Sequence, residues 1–207
     1  MWSLVAGIIG AISALLLREG LEWLRQPKLK VDFEECDGLK PYVLDQFWGL
    51  RVAGKTSKAK FLRLSVRNAG RKPAMNCEAK MVVLKARKKE PLTPLIHWSR
   101  RDPAVYETLD QIYAPIHLNK SDEETLDLLI LPYYPEDADL GPGATIHTLS
   151  PKEYRFERNV TYHIRVTVYA SNTISKPYAL KLYWDGTLDG FHKAVQKAEK
   201  STNDQNL

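Results

Sequence analysis

The segment from Trp2 to Leu17 contains no charged side chain, and this run constrains the fold more than any other part of the sequence. As an α-helix, sixteen residues extend about 24 Å, slightly less than the roughly 30 Å hydrocarbon core of a bilayer. Apolar residues continue at Leu21 and Leu24, and Pro27 is the first residue that must disrupt the helix. We therefore predict a transmembrane and interfacial anchor helix over residues 1–27.

Two other interpretations of the opening segment remain open. A secretory signal peptide begins with a positively charged region and ends at small residues. Here no Lys or Arg precedes the apolar run, and the small pair Ala11 and Ser13 lies inside it. A helix in a soluble core carries polar residues at almost every turn. The sequence favours the anchor over both alternatives.

Small residues recur on one face of the predicted helix. Ala6, Gly10 and Ala14 follow each other at intervals of four, the spacing that lets membrane helices approach closely. These three residues are the candidate face for helix association, and they allow self-association of the chain.

The charge distribution bears on orientation and on membrane contact. Arg18, Arg25, Lys28 and Lys30 follow the apolar run, whereas no Lys or Arg precedes it. Because Lys and Arg near a membrane segment stay on the cytoplasmic side, this bias predicts a single-pass protein of the cell membrane. Its folded domain lies in the cytoplasm rather than outside.

The half of the chain nearest the anchor is basic. Residues 18–101 contain 20 Lys and Arg against 9 Asp and Glu, and residues 102–207 contain 10 against 16. The candidate residues for contact with an anionic surface are Lys85, Arg87, Lys88 and Lys89. The sequence favours a solvated basic loop for this run over contact with an anionic surface, and nucleic acid is least favoured because no aromatic residues or known module accompany the run.

From residue 28 onward the apolar residues alternate with polar ones. In the segment FLRLSVRN, Leu62, Leu64 and Val66 share one face, which is typical of a half-buried strand. Similar segments are KLKVDF, AMNCEAKMVVLKA, WGLRVAG, LIHWSR, TLDLLIL, TYHIRVTVYA and YALKLYWDG, separated by turns rich in Pro, Gly, Asn and Asp. We predict an all-β protein with an antiparallel β-sandwich over residues 28–187. Helical spacing of apolar residues then predicts a short C-terminal helix and a polar tail over residues 188–207.

Two segments resemble a known architecture. FLRLSVRNAGRKPAMNCEAKMVVL resembles the strand, Asn-x-Gly turn and following strand of bacterial and archaeal immunoglobulin-like domains, and NVTYHIRVTVYA resembles their penultimate strand. The resemblance implies that Tyr162 is the tyrosine-corner residue. Trp98 does not lie on the strand expected for the usual core Trp, and no Cys pair occupies the expected strands. A short anchor followed by one sandwich is also similar to the plan of uncharacterised single-pass prokaryotic proteins.

No pattern typical of a catalytic or metal site is present. The five histidines have no partner at metal-ligand spacing, and nucleophile-elbow, Walker and dinucleotide-binding motifs are absent from the sequence. Cys36 and Cys77 do not form a Cys-x-x-Cys pair, and a bridge between them remains open. The sequence predicts no cofactor and no metal.

The function that these observations favour is that of a membrane-anchored, non-catalytic binding or assembly module. Its expected partner is another protein, in addition to the membrane itself. A structural membrane component that self-associates is the alternative, followed by an enzyme with dispersed catalytic residues.

Overall fold

The computed structural model describes residues 2–32, 42–52, 55–85, 91–94, 96–99, 111, 113–133, 146–148, 154–187 and 190–197. For residues 2–12, 23, 42–52, 55–58, 85, 133, 147, 192–193 and 196–197 this description covers the backbone alone.

The N-terminal segment is helical, as the sequence predicts. Helix α1 extends over Trp2–Arg25, and the chain leaves it through Gln26 and the buried Pro27. Within the described residues, however, none of the helical structure is both long and apolar enough to cross a membrane. The helix itself is therefore confirmed, whereas the transmembrane part of the prediction is not.

The first of two antiparallel sheets follows directly from the helix. Its central pair is β3 (Lys55–Asn68) and β7 (Glu123–Tyr133), which run antiparallel with a bulge next to Arg63. The other strands of this sheet are β1 (Leu29–Asp32), β2 (Tyr42–Val52), β5 (His97–Trp98), β8 (Ile146–His147) and β9 (Arg155–Phe156). Strands β1 and β2 both pair with β3, and β5 and β8 both pair with β7.

The second sheet is centred on β10 (Thr161–Ala170), which pairs with β4 (Ala74–Lys85) on one side and β12 (Tyr178–Tyr183) on the other. Its remaining strands are β6 (Ile116–Leu118), β11 (Thr173–Ile174) and β13 (Val195–Lys197). The order among the described strands is β13-β12-β10-β4-β6, with β11 forming a short hairpin with β10.

One apolar core is shared by the two sheets. Leu64 of β3, Met81 of β4 and Val166 of β10 are fully buried in it. These positions follow the alternation seen in the sequence, because successive side chains of a strand point to opposite faces. The prediction of an antiparallel β-sandwich is thus confirmed at the level of two packed sheets.

Two residues that the sequence singled out lie inside this core. Cys77 is buried, as its place in the alternation predicts. Its thiol is free, so it forms no bridge to Cys36. Trp98 is also buried, and its indole N–H donates to the Cys77 carbonyl oxygen at 3.2 Å. Trp98 enters the core from β5, in the sheet opposite β4, and not from the strand on which antibody-type domains place their Trp.

The predicted C-terminal helix is wrong for the residues described there. Gly190–Lys193 form a single 3₁₀ turn, and the chain then pairs as β13 with the outer edge of β12. Phe191, Ala194 and Val195 are buried, so the apolar residues do dock on the sandwich. Phe191 docks from the 3₁₀ turn, whereas Ala194 and Val195 pair with the edge of β12. This edge offers backbone donors and acceptors that a helix would leave unpaired.

Candidate functional site

Two groups of buried polar contacts among the described residues bear on a functional site, and the first is a cluster on the first sheet. Arg63 alternates with the core residues Leu62 and Leu64, so it points to the opposite face of β3. On that face Asp127 of β7 contacts both Arg63 and His97, the latter from β5, which pairs with β7 at this point. All three charged or ionisable side chains are almost completely excluded from solvent.

Asp127 is the centre of this cluster. Its Oδ1 accepts hydrogen bonds from Arg63 Nε and from the Ser99 hydroxyl, the latter at 2.7 Å. His97 Nε2 lies 3.3 Å from Asp127 Oδ2, but neither ring nitrogen of His97 makes a well-directed hydrogen bond. The ring of Tyr113 meets the His97 ring edge-on, with 6.0 Å between the ring centres.

The ionisation of this cluster follows from its contacts. Burial alone raises the pKa of the Asp127 carboxyl, but the nearby His97 ring and the Arg63 guanidinium outweigh it and lower the pKa below its usual value. Burial raises the pKa of the Tyr113 hydroxyl to about 12. Asp127 is therefore a buried anion compensated by Arg63.

The geometry of the cluster differs from that of a nucleophilic triad. In a triad the His stands between the acid and the nucleophile, whereas here Ser99 donates directly to Asp127. Arg63 occupies the same carboxylate oxygen. This arrangement connects three neighbouring strands and presents no activated nucleophile to solvent.

No group of three or more His, Cys, Asp or Glu side chains with the geometry of a metal site occurs among the described residues. His163 points to solvent from β10, as its place in the alternation predicts. His117 lies on β6, where its Nδ1 accepts a hydrogen bond from the backbone N–H of Asn76 at 3.0 Å.

The second place is the junction between helix α1 and the sandwich, where Asn68 acts as a clamp. Asn68 is fully buried, and its Oδ1 accepts hydrogen bonds from the backbone N–H groups of Lys28 and Gly70 at 3.2 and 3.0 Å. Its Nδ2 donates to the carbonyl oxygens of Lys72 and Leu118. One amide side chain thus satisfies backbone groups from three separate segments.

Backbone contacts complete the junction. The Ala69 N–H donates to the Lys28 carbonyl, and the Lys72 N–H donates to the carbonyl of Arg25, the last residue of the helix. The Lys72 side chain forms an ion pair with Glu22, one turn before the helix ends. These contacts fix where the helix leaves the sandwich.

Beyond this junction the described part of the helix is exposed. Five leucines of α1 expose between 51 and 67% of their surface: Leu15, Leu16, Leu17, Leu21 and Leu24. Ala14 is exposed as well. A large apolar surface therefore faces outward next to the junction.

A groove with a volume of about 520 Å³ opens beside the junction. Residues 26–32 form one wall, and residues 173–174 and 176–178 of the second sheet form the other. Among the described residues, three lysines and one carboxylate line the groove: Lys28, Lys30, Lys176 and Asp32. Burial and the negative charge of Asp32 raise the pKa of the Tyr178 hydroxyl, which also lines the groove.

The residues that the sequence selected are only partly placed by the structure. Arg87, Lys88 and Lys89 lie outside the described residues, and Lys85 is described only as the last residue of β4. Ala6, Gly10 and Ala14 all fall within α1, where only Ala14 has a described side chain. Anionic contact through the four basic residues and helix association through the three small residues therefore both stay predictions.

Sequence reasoning missed both the clamp and the groove. The Asn-x-Gly turn that contains Asn68 was visible as a turn, but its hydrogen bonds to the helix end depend on distant segments. Lys30 and Lys176 carry no shared signal in the sequence, because the contact between their two segments arises only from the packing of the sheets.

No family model, curated protein or solved structure matches this chain.

Proposed function

We propose that this chain is a non-catalytic binding or assembly module held at a membrane by its N-terminal helix. The observation that carries the proposal is the exposed apolar surface of α1 beside a folded β-sandwich. Burying a leucine side chain is worth about 1.5–3 kcal/mol, so five exposed leucines strongly favour transfer of this helix out of water. The proposal requires insertion of the helix into the bilayer and does not depend on a full crossing.

The membrane is favoured over a protein groove as the destination of the helix because of the surrounding sequence. The run from Trp2 to Leu17 has no charge, and basic residues follow at Arg18, Arg25 and Lys28. An uncharged segment followed by Lys and Arg is typical of membrane segments whose flank stays in the cytoplasm. We propose on this basis that the sandwich lies on the cytoplasmic side of the cell membrane.

We further propose that the sandwich is immunoglobulin-like, and the strand order supports this. The order β1-β3-β7 corresponds to strands A, B and E of that fold, and β12-β10-β4 corresponds to G, F and C. The chain also carries a tyrosine corner, in which the buried Tyr162 hydroxyl oxygen accepts a hydrogen bond from the Glu157 N–H at 2.9 Å. Immunoglobulin-like modules commonly act in recognition, which supports a protein as the partner.

Membrane insertion is tested by synthesising the full chain in a cell-free system with phosphatidylcholine vesicles and then floating the vesicles. We expect the chain to float with them and to remain bound at high salt. The variant Leu15→Arg/Leu16→Arg places two charges in the apolar helix. Because an Arg within an inserted helix costs about 2.5–3.5 kcal/mol at its centre, the floated fraction should fall at least about tenfold.

The matched control is Glu19→Arg, which introduces the same side chain at an exposed position outside the apolar run. It should float like the wild type. If the double variant also floats like the wild type, the helix is not what holds the chain to the membrane, and the proposal fails.

The binding role is separated from self-association by affinity capture of the detergent-solubilised full chain. A foreign protein recovered at stoichiometric amounts supports the binding module. Recovery of further copies of this chain alone supports the alternative of a self-associating structural component, for which Ala6, Gly10 and Ala14 form the candidate contact.

A further inference from the structure

We propose that the groove beside the helix junction binds the phosphate headgroup of an anionic phospholipid. This inference rests on the proposed membrane association of α1, and it adds a specific lipid contact to an anchor that by itself does not distinguish between lipids.

The position of the groove follows from the junction. One wall begins at Gln26, directly after the last helical residue Arg25. Lys28 follows Arg25 by three positions in the chain, a span of at most about 11 Å even for an extended chain. The Asn68 clamp holds this stretch against the sandwich, so an inserted helix brings the mouth of the groove to the level of the headgroups.

The charges of the groove suit a phosphate diester. Lys28 and Lys30 lie on the wall formed by residues 26–32, and Lys176 lies on the opposite wall. Among the described lining residues the one carboxylate is that of Asp32, which is the last residue of β1 and thus lies farther along the chain from the helix than either lysine of that wall. The part of the groove nearest the membrane is therefore the basic part, and anionic lipids are attracted by such juxtamembrane clusters.

An apolar contact favours a lipid over a free phosphate ion. Ile174 lines the groove and is 62% exposed, and the leucines Leu21 and Leu24 at the end of the helix are also exposed. A lipid can place its phosphate between the lysines and its glycerol and acyl carbons against Ile174. A free phosphate uses only the lysines.

The test uses the full chain in a neutral detergent, titrated with short-chain dihexanoyl-phosphatidylglycerol and followed by NMR of the Ile174 methyl groups. We expect saturable shifts with this lipid and none with dihexanoyl-phosphatidylcholine. In the Lys30→Gln/Lys176→Gln variant, binding should weaken about 30-fold, which corresponds to about 1 kcal/mol per lysine. Lys181→Gln, an exposed substitution on β12 away from the groove, is the control and should bind like the wild type.

Three outcomes would overturn the proposal. Unchanged Ile174 resonances mean that the groove is not a lipid site, and equal weakening by Lys181→Gln means that only general surface charge acts. Equally tight binding of glycerol 3-phosphate assigns the groove to a soluble phosphate. The titration is done in detergent, so its result does not depend on whether the chain floats with vesicles. A failure of the headgroup proposal can therefore be distinguished from a failure of the proposed membrane anchoring.

Discussion

At the scale of single residues, Asp127 is the centre of a buried polar cluster on the first sheet. It accepts hydrogen bonds from Arg63 and Ser99 and lies against His97. A buried charge of this kind is tolerated only while its partners remain. The cluster therefore serves to hold β3, β5 and β7 in register.

Asp127→Asn should lower the free energy of unfolding by about 3 kcal/mol at pH 7, because it removes a negative charge that the buried Arg63 guanidinium contacts. The pKa of Asp127 is lower in the folded chain than its usual value. Its contribution to stability is thus present above a pH of about 4 and is lost as the pH falls through the folded pKa. The difference in free energy of unfolding between wild type and Asp127→Asn should therefore decrease as the pH falls below about 4. Urea unfolding at several pH values measures this difference.

Glu78→Gln serves as the control for this experiment, since Glu78 is exposed on β4. It should change the stability by less than about 0.5 kcal/mol. A gap between wild type and Asp127→Asn that stays constant from neutral to acidic pH would contradict the assigned pKa direction.

At the scale of elements, the helix junction depends on the absence of a side chain at Gly70. A Cβ built there lies 2.4 Å from the Gln26 carbonyl oxygen and 2.5 Å from both Lys28 N and Pro27 Cα. All three neighbours are backbone atoms, which cannot move aside as a flexible side chain can. Gly70 is therefore the residue that lets the helix exit pass close to the turn after β3.

Gly70→Ala should destabilise the chain by about 1–3 kcal/mol, the usual cost of overpacking. Gly20→Ala is the matched control, because nothing lies within 4 Å of a Cβ at that position in the exposed helix. There Ala should be neutral or stabilising by up to about 1 kcal/mol, as Ala favours helix over Gly. Denaturant unfolding in detergent measures the free energy of unfolding of both variants. Equal values for the two variants would contradict the close approach of the helix exit to Gly70.

At the scale of the whole molecule, the chain crosses from the first sheet to the second between β9 and β10. Tyr162 holds this crossing, since its hydroxyl oxygen accepts a hydrogen bond from the Glu157 N–H and its ring packs edge-on against Phe156. Both Phe156 and Tyr162 are buried. These contacts therefore connect the end of the first sheet, at β9, to the start of the second sheet, at β10.

Tyr162→Phe should reduce the free energy of unfolding by about 1 kcal/mol, because the ring is kept and only the hydrogen bond is lost. Tyr183→Phe is the control, since the Tyr183 hydroxyl donates to the exposed Asn159 at 3.2 Å and the side chain is 47% exposed. It should cost less than about 0.5 kcal/mol. If both variants lower the free energy of unfolding equally in chemical denaturation, the Tyr162 hydrogen bond does not stabilise the crossing.

The sequence by itself determined the main strands and the first helix. Alternation in β3, β4 and β10 reports directly which face of a strand is buried, because side chains on a strand have a period of two. The N-terminal run has no charged residue and no proline, which likewise predicts the helix α1. The contact between the Glu157 N–H and the Tyr162 hydroxyl oxygen is also local, because the two residues lie five positions apart; its assignment as a tyrosine corner belongs to the proposed immunoglobulin-like fold.

Tertiary structure alone decided the conformation of the C-terminal segment and the positions of the Asp127 cluster and the lysine-lined groove. The spacing of Phe191, Ala194 and Val195 fits a helix equally well, and only the unpaired edge of β12 selects a strand. The Asp127 cluster and the lysine groove each join residues that lie far apart in the chain. Periodicity describes what a segment buries, but which distant segment it meets depends on how the two sheets pack.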